Sequence, residues 1–249
     1  MRVLLIIALM SVASFARAAV LKDSVVLYMA LDKGGNSAVD LSPKGNDGKI
    51  FGTKVVAGKI NKAFEWSKLA DYIEITNFKG LTNAKEFSVA AWVKLSQNAK
   101  VTIVCGISED QVNRWNFAVR VNEVFHTNTH RGGWASELNI NKKFVQAWHH
   151  VAGTYGEGGT ARILYYDGDE AARDALFQGE LTLTKIRVGR GQSNFDSWPY
   201  LGLIDEVALF DRVLNKSEIQ EVMKGMSTIL AVSPTSKLAT TWGAMKSRF

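Results

Sequence analysis

Short apolar runs of period two, punctuated by Gly, Asn and Asp, recur along nearly the whole chain and limit what it can fold into. Phe87–Leu95 reads FSVAAWVKL, and Tyr72–Ile75 reads YIEI. Similar runs lie at 25–31, 101–105, 115–121, 123–129, 149–155, 161–166, 185–189 and 203–210. Successive residues of a strand face opposite sides, so this period places one apolar face on each segment. About a dozen such strands at this spacing predict an all-β, two-sheet antiparallel sandwich. Gly156-Glu157-Gly158-Gly159 and Asp167-Gly168 mark the tightest turns, because Gly and Asp tolerate positive φ. One short C-terminal helix is expected after Asn215, with Glu218 three residues on as in a capping box, and Ile219, Val222 and Met223 at helical spacing.

The two ends read differently. Met1-Arg2, the apolar run 3–12 and Ala16-Arg17-Ala18 form a cleavable signal-peptide pattern over residues 1–18, too short to span a bilayer. The expected protein is therefore exported, secreted or periplasmic, without a transmembrane segment. One packed domain is expected over 19–225, followed by a basic tail over 226–249 that packs weakly if at all. Cys105 is the only cysteine, which excludes an internal disulfide, and its apolar surroundings suggest a buried thiol.

Charge excludes one class of partner. Thirty Lys and Arg stand against 24 Asp and Glu, a net +6. Arg2, Arg17, Lys237, Lys246 and Arg248 all lie outside the domain, which keeps 25 cations against 24 acids. A global balance of this kind does not support nucleic-acid binding.

Several stretches resemble one family in order. Asp40-Leu41-Ser42-Pro43-Lys44-Gly45-Asn46-Asp47-Gly48, Ala63-Phe64-Glu65-Trp66 and Asp71-Tyr72-Ile73-Glu74-Ile75 come first. Trp148-His149-His150-Val151-Ala152-Gly153-Thr154-Tyr155, Tyr166-Asp167-Gly168 and Gly202-Leu203-Ile204-Asp205-Glu206-Val207 follow. Together they are similar to the laminin G-like jelly-roll family of the concanavalin A-like fold, in the form found in secreted bacterial proteins. Trp66-Ser67 departs from the usual ending of its motif. The resemblance implies two face-to-face antiparallel sheets, one of them concave, in a fold shared by lectins, binding modules and hydrolases. It also implies a structural Ca2+ where first and last strands pair, with Asp32 and Asp205 at positions where related modules keep an acid; Asp40, a hard oxygen ligand of the first loop, is the third expected ligand.

Candidate chemistry points to binding. Glycosidases need paired carboxylates on one face, whereas Asp71 and Glu74 fall on opposite sides and Asp205 and Glu206, being adjacent, are expected to diverge. No enzymatic activity is expected. His149 and His150 also diverge, and His126 and His130 share a face without a third ligand. Trp134 and Trp198 lie in polar loops, where exposed rings stack on sugars while nearby polar groups bond hydroxyls. His130, Arg131, Asn194 and Asp196 are the expected companions. The expectation is a non-enzymatic module binding carbohydrate or a glycoprotein. A structural or adhesive interaction domain and, more remotely, a glycoside hydrolase are the alternatives.

Overall fold

The structure, a computed structural model, describes residues 21–110, 113–131, 137–157, 159, 161–175, 180–191 and 198–231. Its strands are β1 (Val25–Met29), β2 (Ser37–Ala38), β3 (Gly48–Phe51), β4 (Lys54–Ala57), β5 (Lys62–Trp66) and β6 (Tyr72–Ile75). They continue as β7 (Phe87–Leu95), β8 (Val101–Ile107), β9 (Asn113–Arg120), β10 (Val124–Arg131), β11 (Leu138–Asn141) and β12 (His149–Glu157). The last four are β13 (Ala161–Tyr166), β14 (Asp169–Asp174), β15 (Lys185–Val188) and β16 (Gly202–Phe210), followed by the helices α1 (Lys216–Val222) and α2 (Met226–Ala231).

The strands form two antiparallel sheets of eight. The first runs β14-β13-β12-β7-β16-β5-β4 with β1 beside β16, and the second runs β11-β10-β9-β8-β15-β6-β3-β2. This is the expected sandwich, with more strands than the sequence suggested because β2 to β4 are too short to show a period. Between the sheets lies one apolar core. Val89, Val93, Val151 and Leu209 of the first sheet meet Ile73, Ile186, Val188 and Val119 of the second. Its broad end is aromatic. Phe87 stacks on Tyr155 at 4.2 Å and 8°, Trp115 lies edge-on to both, and Phe117 meets Phe125 at 4.7 Å. Each such pair adds about 0.5–1.5 kcal/mol beyond burial.

The first sheet is also covered on its outer face. Ala90, Ile163, Ala208 and Phe210 pack there against Leu214, Ile219, Val222, Met226 and Ile229. Asn215 caps α1 as the sequence indicates, its side chain taking the Glu218 amide while the Glu218 carboxylate takes the Asn215 amide. The packed region continues beyond Gly225, because Met226, Ile229 and Leu230 recur at helical spacing and seat α2 on the same layer. The second sheet has no such helical cover among the described residues, and its outer face is where polar side chains collect.

Candidate functional site

Strand register fixes which side chains share the outer face of the second sheet, because cross-strand partners project to the same side. One row runs Lys49–Glu74–Arg187–Cys105–Asn116–Asn128, and a neighbouring row contains Thr102, Ala118, His126 and Asn139. Certain polar atoms on this face lack protein partners. Both ring nitrogens of His126 and the side-chain oxygen of Asn116 are buried and unbonded. Burial, reinforced by Arg120 and Lys100, drives the His126 pKa down to about 3, so its ring is neutral.

Trp198 lies over this face. Its ring meets that of His126 edge-on at 5.5 Å, the Lys100 ammonium sits 5.1 Å from the ring centroid, and its carbonyl takes the Thr102 amide at 2.9 Å. Trp198 adopts a φ of 133°, a region that favours glycine and costs a bulky residue about 1–3 kcal/mol. Of the other expected ligand-binding residues, His130 and Arg131 occupy the end of β10, in register with Arg114 and Asn113. His130 lies about 14 Å along the strand from His126. The side chains of His130 and Arg131, and the whole of Trp134, Asn194 and Asp196, lie outside the described residues. Sequence reading passed over Asn116, Asn128 and Lys100, although the alternation of β9 and β10 already separates Asn116, His126 and Asn128 from their apolar neighbours.

A second aromatic feature lies on the same face. Phe51 and Tyr72, partners across β3 and β6, stack at 4.3 Å and 8°. Lys49 approaches the Phe51 ring at 5.0 Å, and Arg187 and Arg190 approach Tyr72 at 5.3 and 5.1 Å. Beside them a cleft of about 550 Å³ has Lys79, Ser108, Glu109, Thr184, Lys185 and Arg187 among its lining residues.

The expected calcium ligands lie elsewhere, and the three differ. Asp40 is committed to the turn: Oδ1 accepts from the Tyr28 and Ser42 amides, and Oδ2 from the Ser42 hydroxyl and the Asn46 amide. Both oxygens are occupied by protein donors, so Asp40 does not fit a metal. Asp32 accepts the Lys62 amide with Oδ1. Asp205 accepts the Lys59 and Ile60 amides with Oδ2, while its buried Oδ1 has no partner. Desolvation, aided by Glu206 and Asp32 and opposed by the Ile60 and Lys59 amides, raises the Asp205 pKa to about 7. Asp205 and Asp32 thus retain ligating capacity. Among the described residues no group of three or more His, Cys, Asp or Glu is arranged to hold a metal ion.

Asp205 and Glu206 do not diverge as adjacent strand residues should. The register of β16 against β7 slips between Asp205 and Ala208, placing Glu206 and Val207 opposite one residue, and Glu206 adopts a φ of 54°. At this bulge the extra residue turns Glu206 to the outer face of the first sheet, beside Asp205. Its carboxylate there accepts the Tyr28 hydroxyl and the Met226 amide. The His149–His150 pair does behave as expected. His149 bonds Asp167 at 2.9 Å and stacks on Tyr166, whereas His150 is buried against Trp92.

The family model described as Laminin_G_3, concanavalin A-like lectin/glucanases superfamily, matches residues 67–220. The chain belongs to this superfamily. Solved structures of similar fold include domain 4 of an extracellular GH43 arabinanase from Geobacillus stearothermophilus, in complex with arabinotriose. It is 18% identical with a TM-score of 0.64, over 80% of this chain and 98% of that one. The binding domain of Paraclostridial Mosquitocidal Protein 1 is 16% identical with a TM-score of 0.63, over 81% of this chain and 52% of that one. The botulinum neurotoxin serotype D binding domain is 20% identical with a TM-score of 0.64, over 84% and 52%. This superfamily chain therefore spans about half of either toxin domain, and at such identities the likeness is one of fold. No curated protein matches the sequence. No helix among the described residues is long and apolar enough to cross a membrane.

Proposed function

We propose that the chain is an exported, non-enzymatic module that binds carbohydrate on the outer face of its second sheet. The observation that carries this reading is Trp198, whose half-exposed ring sits in a strained backbone beside Lys100 and over a face with unbonded polar atoms on His126 and Asn116. A flat ring supplies the apolar stacking surface for a sugar, and neighbouring amides and cations supply partners for its hydroxyls. The arabinotriose complex of the arabinanase domain supports the same reading by analogy of fold. Its non-enzymatic part is supported by Glu74, the one carboxylate in the eight strands of this sheet, which is engaged by Arg187 at 2.6 Å. Glycoside hydrolysis requires two carboxylates across the scissile bond. A glycan array, followed by a reducing-sugar assay on whatever binds, tests both parts: no retained glycan would remove the first, and sugar release the second.

Calcium belongs to the same proposal in a narrower form. Asp205, with Asp32 beside it, is the pair that would hold the ion, because the buried Asp205 Oδ1 is the orphaned oxygen at the junction of β1 and β16. Melting the protein at neutral pH with calcium and with a chelator tests it, since an ion bound only to the native state must raise the melting temperature.

A further inference from the structure

Charge is segregated between the two sheets. Among the described side chains, the strands of the second carry Lys49, Arg114, Arg120, Lys185 and Arg187 against the single carboxylate Glu74. The strands of the first carry five cations (Lys54, Lys62, Lys94, Arg162, Arg173) against six carboxylates among the described side chains. The near-neutral total of the domain hides this opposition.

We infer that the outer face of the second sheet takes an anionic polysaccharide, with the Phe51–Tyr72 pair as an apolar contact and Lys49, Lys185 and Arg187 as partners for its carboxylate or sulfate groups. The inference rests on the carbohydrate-binding reading above and names its ligand class. The geometry places ring and charge together. Phe51 and Tyr72 are half-buried, stacked and on the same face as the row Lys49–Glu74–Arg187. Neither Lys49 nor Lys185 has an ion-pair partner among the described residues, while Arg187 shares its guanidinium between Glu74 and the Gly191 carbonyl. Lys185 and Arg187 also open onto the 550 Å³ cleft, where Lys79 adds a third cation, Ser108 and Thr184 add hydroxyls, and Glu109 is the one carboxylate of the lining. A pyranose laid against the outward edges of the Phe51–Tyr72 pair brings an acidic substituent within reach of these cations. A neutral sugar uses the rings but gives Lys49 and Lys185 no anionic partner. From Tyr72 on β6 to His126 on β10 the face crosses four strand spacings, about 19 Å, enough for a chain of several sugars to meet both Tyr72 and Trp198.

The test compares matched backbones by titration calorimetry: dextran sulfate against dextran, and polygalacturonate against its methyl ester, with a single-stranded oligonucleotide as a third arm. At about 0.15 M salt at least one acidic polymer should bind about tenfold more tightly than its neutral counterpart, and which one does separates sulfate from carboxylate as the source. The double variant Lys49→Gln, Lys185→Gln should lose about tenfold with an unchanged melting temperature, and Glu74→Gln should bind more tightly. Tyr72→Ala, which leaves the charge untouched, should weaken binding about as much. Equal binding of neutral and acidic polymers overturns the inference and leaves the carbohydrate reading standing, whereas no polysaccharide binding overturns both. Stronger binding of the oligonucleotide, or indifference to the lysine and Glu74 variants, overturns the inference as well.

Discussion

Asp205 and Glu206 project from the same face of β16, because the bulge between them inserts Glu206 as an extra residue with a left-handed backbone. The bulge lies where β16 changes neighbours along one edge, from β5, paired with Gly202 to Ile204, to β1, paired with Val207 to Phe210. Each carboxylate then ties down one of the chains that meet there. Asp205 holds the turn between β4 and β5, and Glu206 holds β1 through Tyr28 and α2 through Met226.

Stability should therefore depend on pH in a direction set by Asp205. Its carboxyl moves from an ordinary 3.8 to about 7 on folding. An acid whose pKa rises on folding favours the native state when protonated, and that contribution is lost as pH climbs from about 4 through about 7. The melting temperature of the wild type should fall across this window relative to that of Asp205→Asn, whose profile should be flatter. Parallel slopes for the two proteins would remove Asp205 as the cause. Glu206, raised chiefly by desolvation, acts in the same sense.

Tyr28→Phe removes the hydroxyl that reaches both Glu206 oxygens at 3.0 Å and leaves the buried carboxylate with the Met226 amide. The expected loss is about 1–3 kcal/mol in urea unfolding, because the remaining acceptor stays desolvated. Glu206→Gln in the Tyr28→Phe background should cost less than it does alone, since the two residues act as a unit.

Gly189 has a φ of 81°, and a Cβ there would stand 2.0 Å from the indole nitrogen of Trp66. Trp66 is fully buried and edge-on to Tyr200 at 5.9 Å, so it has no space to yield. Gly189→Ala should destabilise by about 3 kcal/mol through strain and overpacking together. Differential scanning calorimetry would show it as a lowered transition.

Trp198→Ala should weaken glycan retention at least about tenfold, the loss of one stacking ring, while the circular dichroism spectrum stays unchanged. Retention equal to the wild type would detach Trp198 from the binding face. Because Trp198 carries a strained φ of 133°, Trp198→Gly should lose retention without losing stability from backbone strain.

Much of the scaffold was legible in the sequence. The alternation in Phe87–Leu95 identifies β7, and Asp167-Gly168 turns with φ values of 52° and 83° at the place its composition marks. The capping box at Asn215 and Glu218 forms both of its reciprocal bonds. Local chemistry sets these features, so local sequence reveals them. The cationic face was not legible in the same way. Lys49, Glu74 and Arg187 become neighbours only when β3, β6 and β15 pair, and no window of sequence contains all three. The bulge at Glu206 was hidden for a related reason, since the register of β16 is imposed by β7, β5 and β1 rather than by its own residues. The polar face read from loops thus gained residues from strand interiors, with Trp198 as the link between them.

The layer formed on the first sheet has a directional consequence. Leu21 and Ile229, near either end of the main described span, pack into the same cluster on that sheet, with the cationic face on the far side of the sandwich. Such a module carries its own polarity: drawn to an anionic matrix by one broad side, it lies down on that side and turns its helical layer away from it.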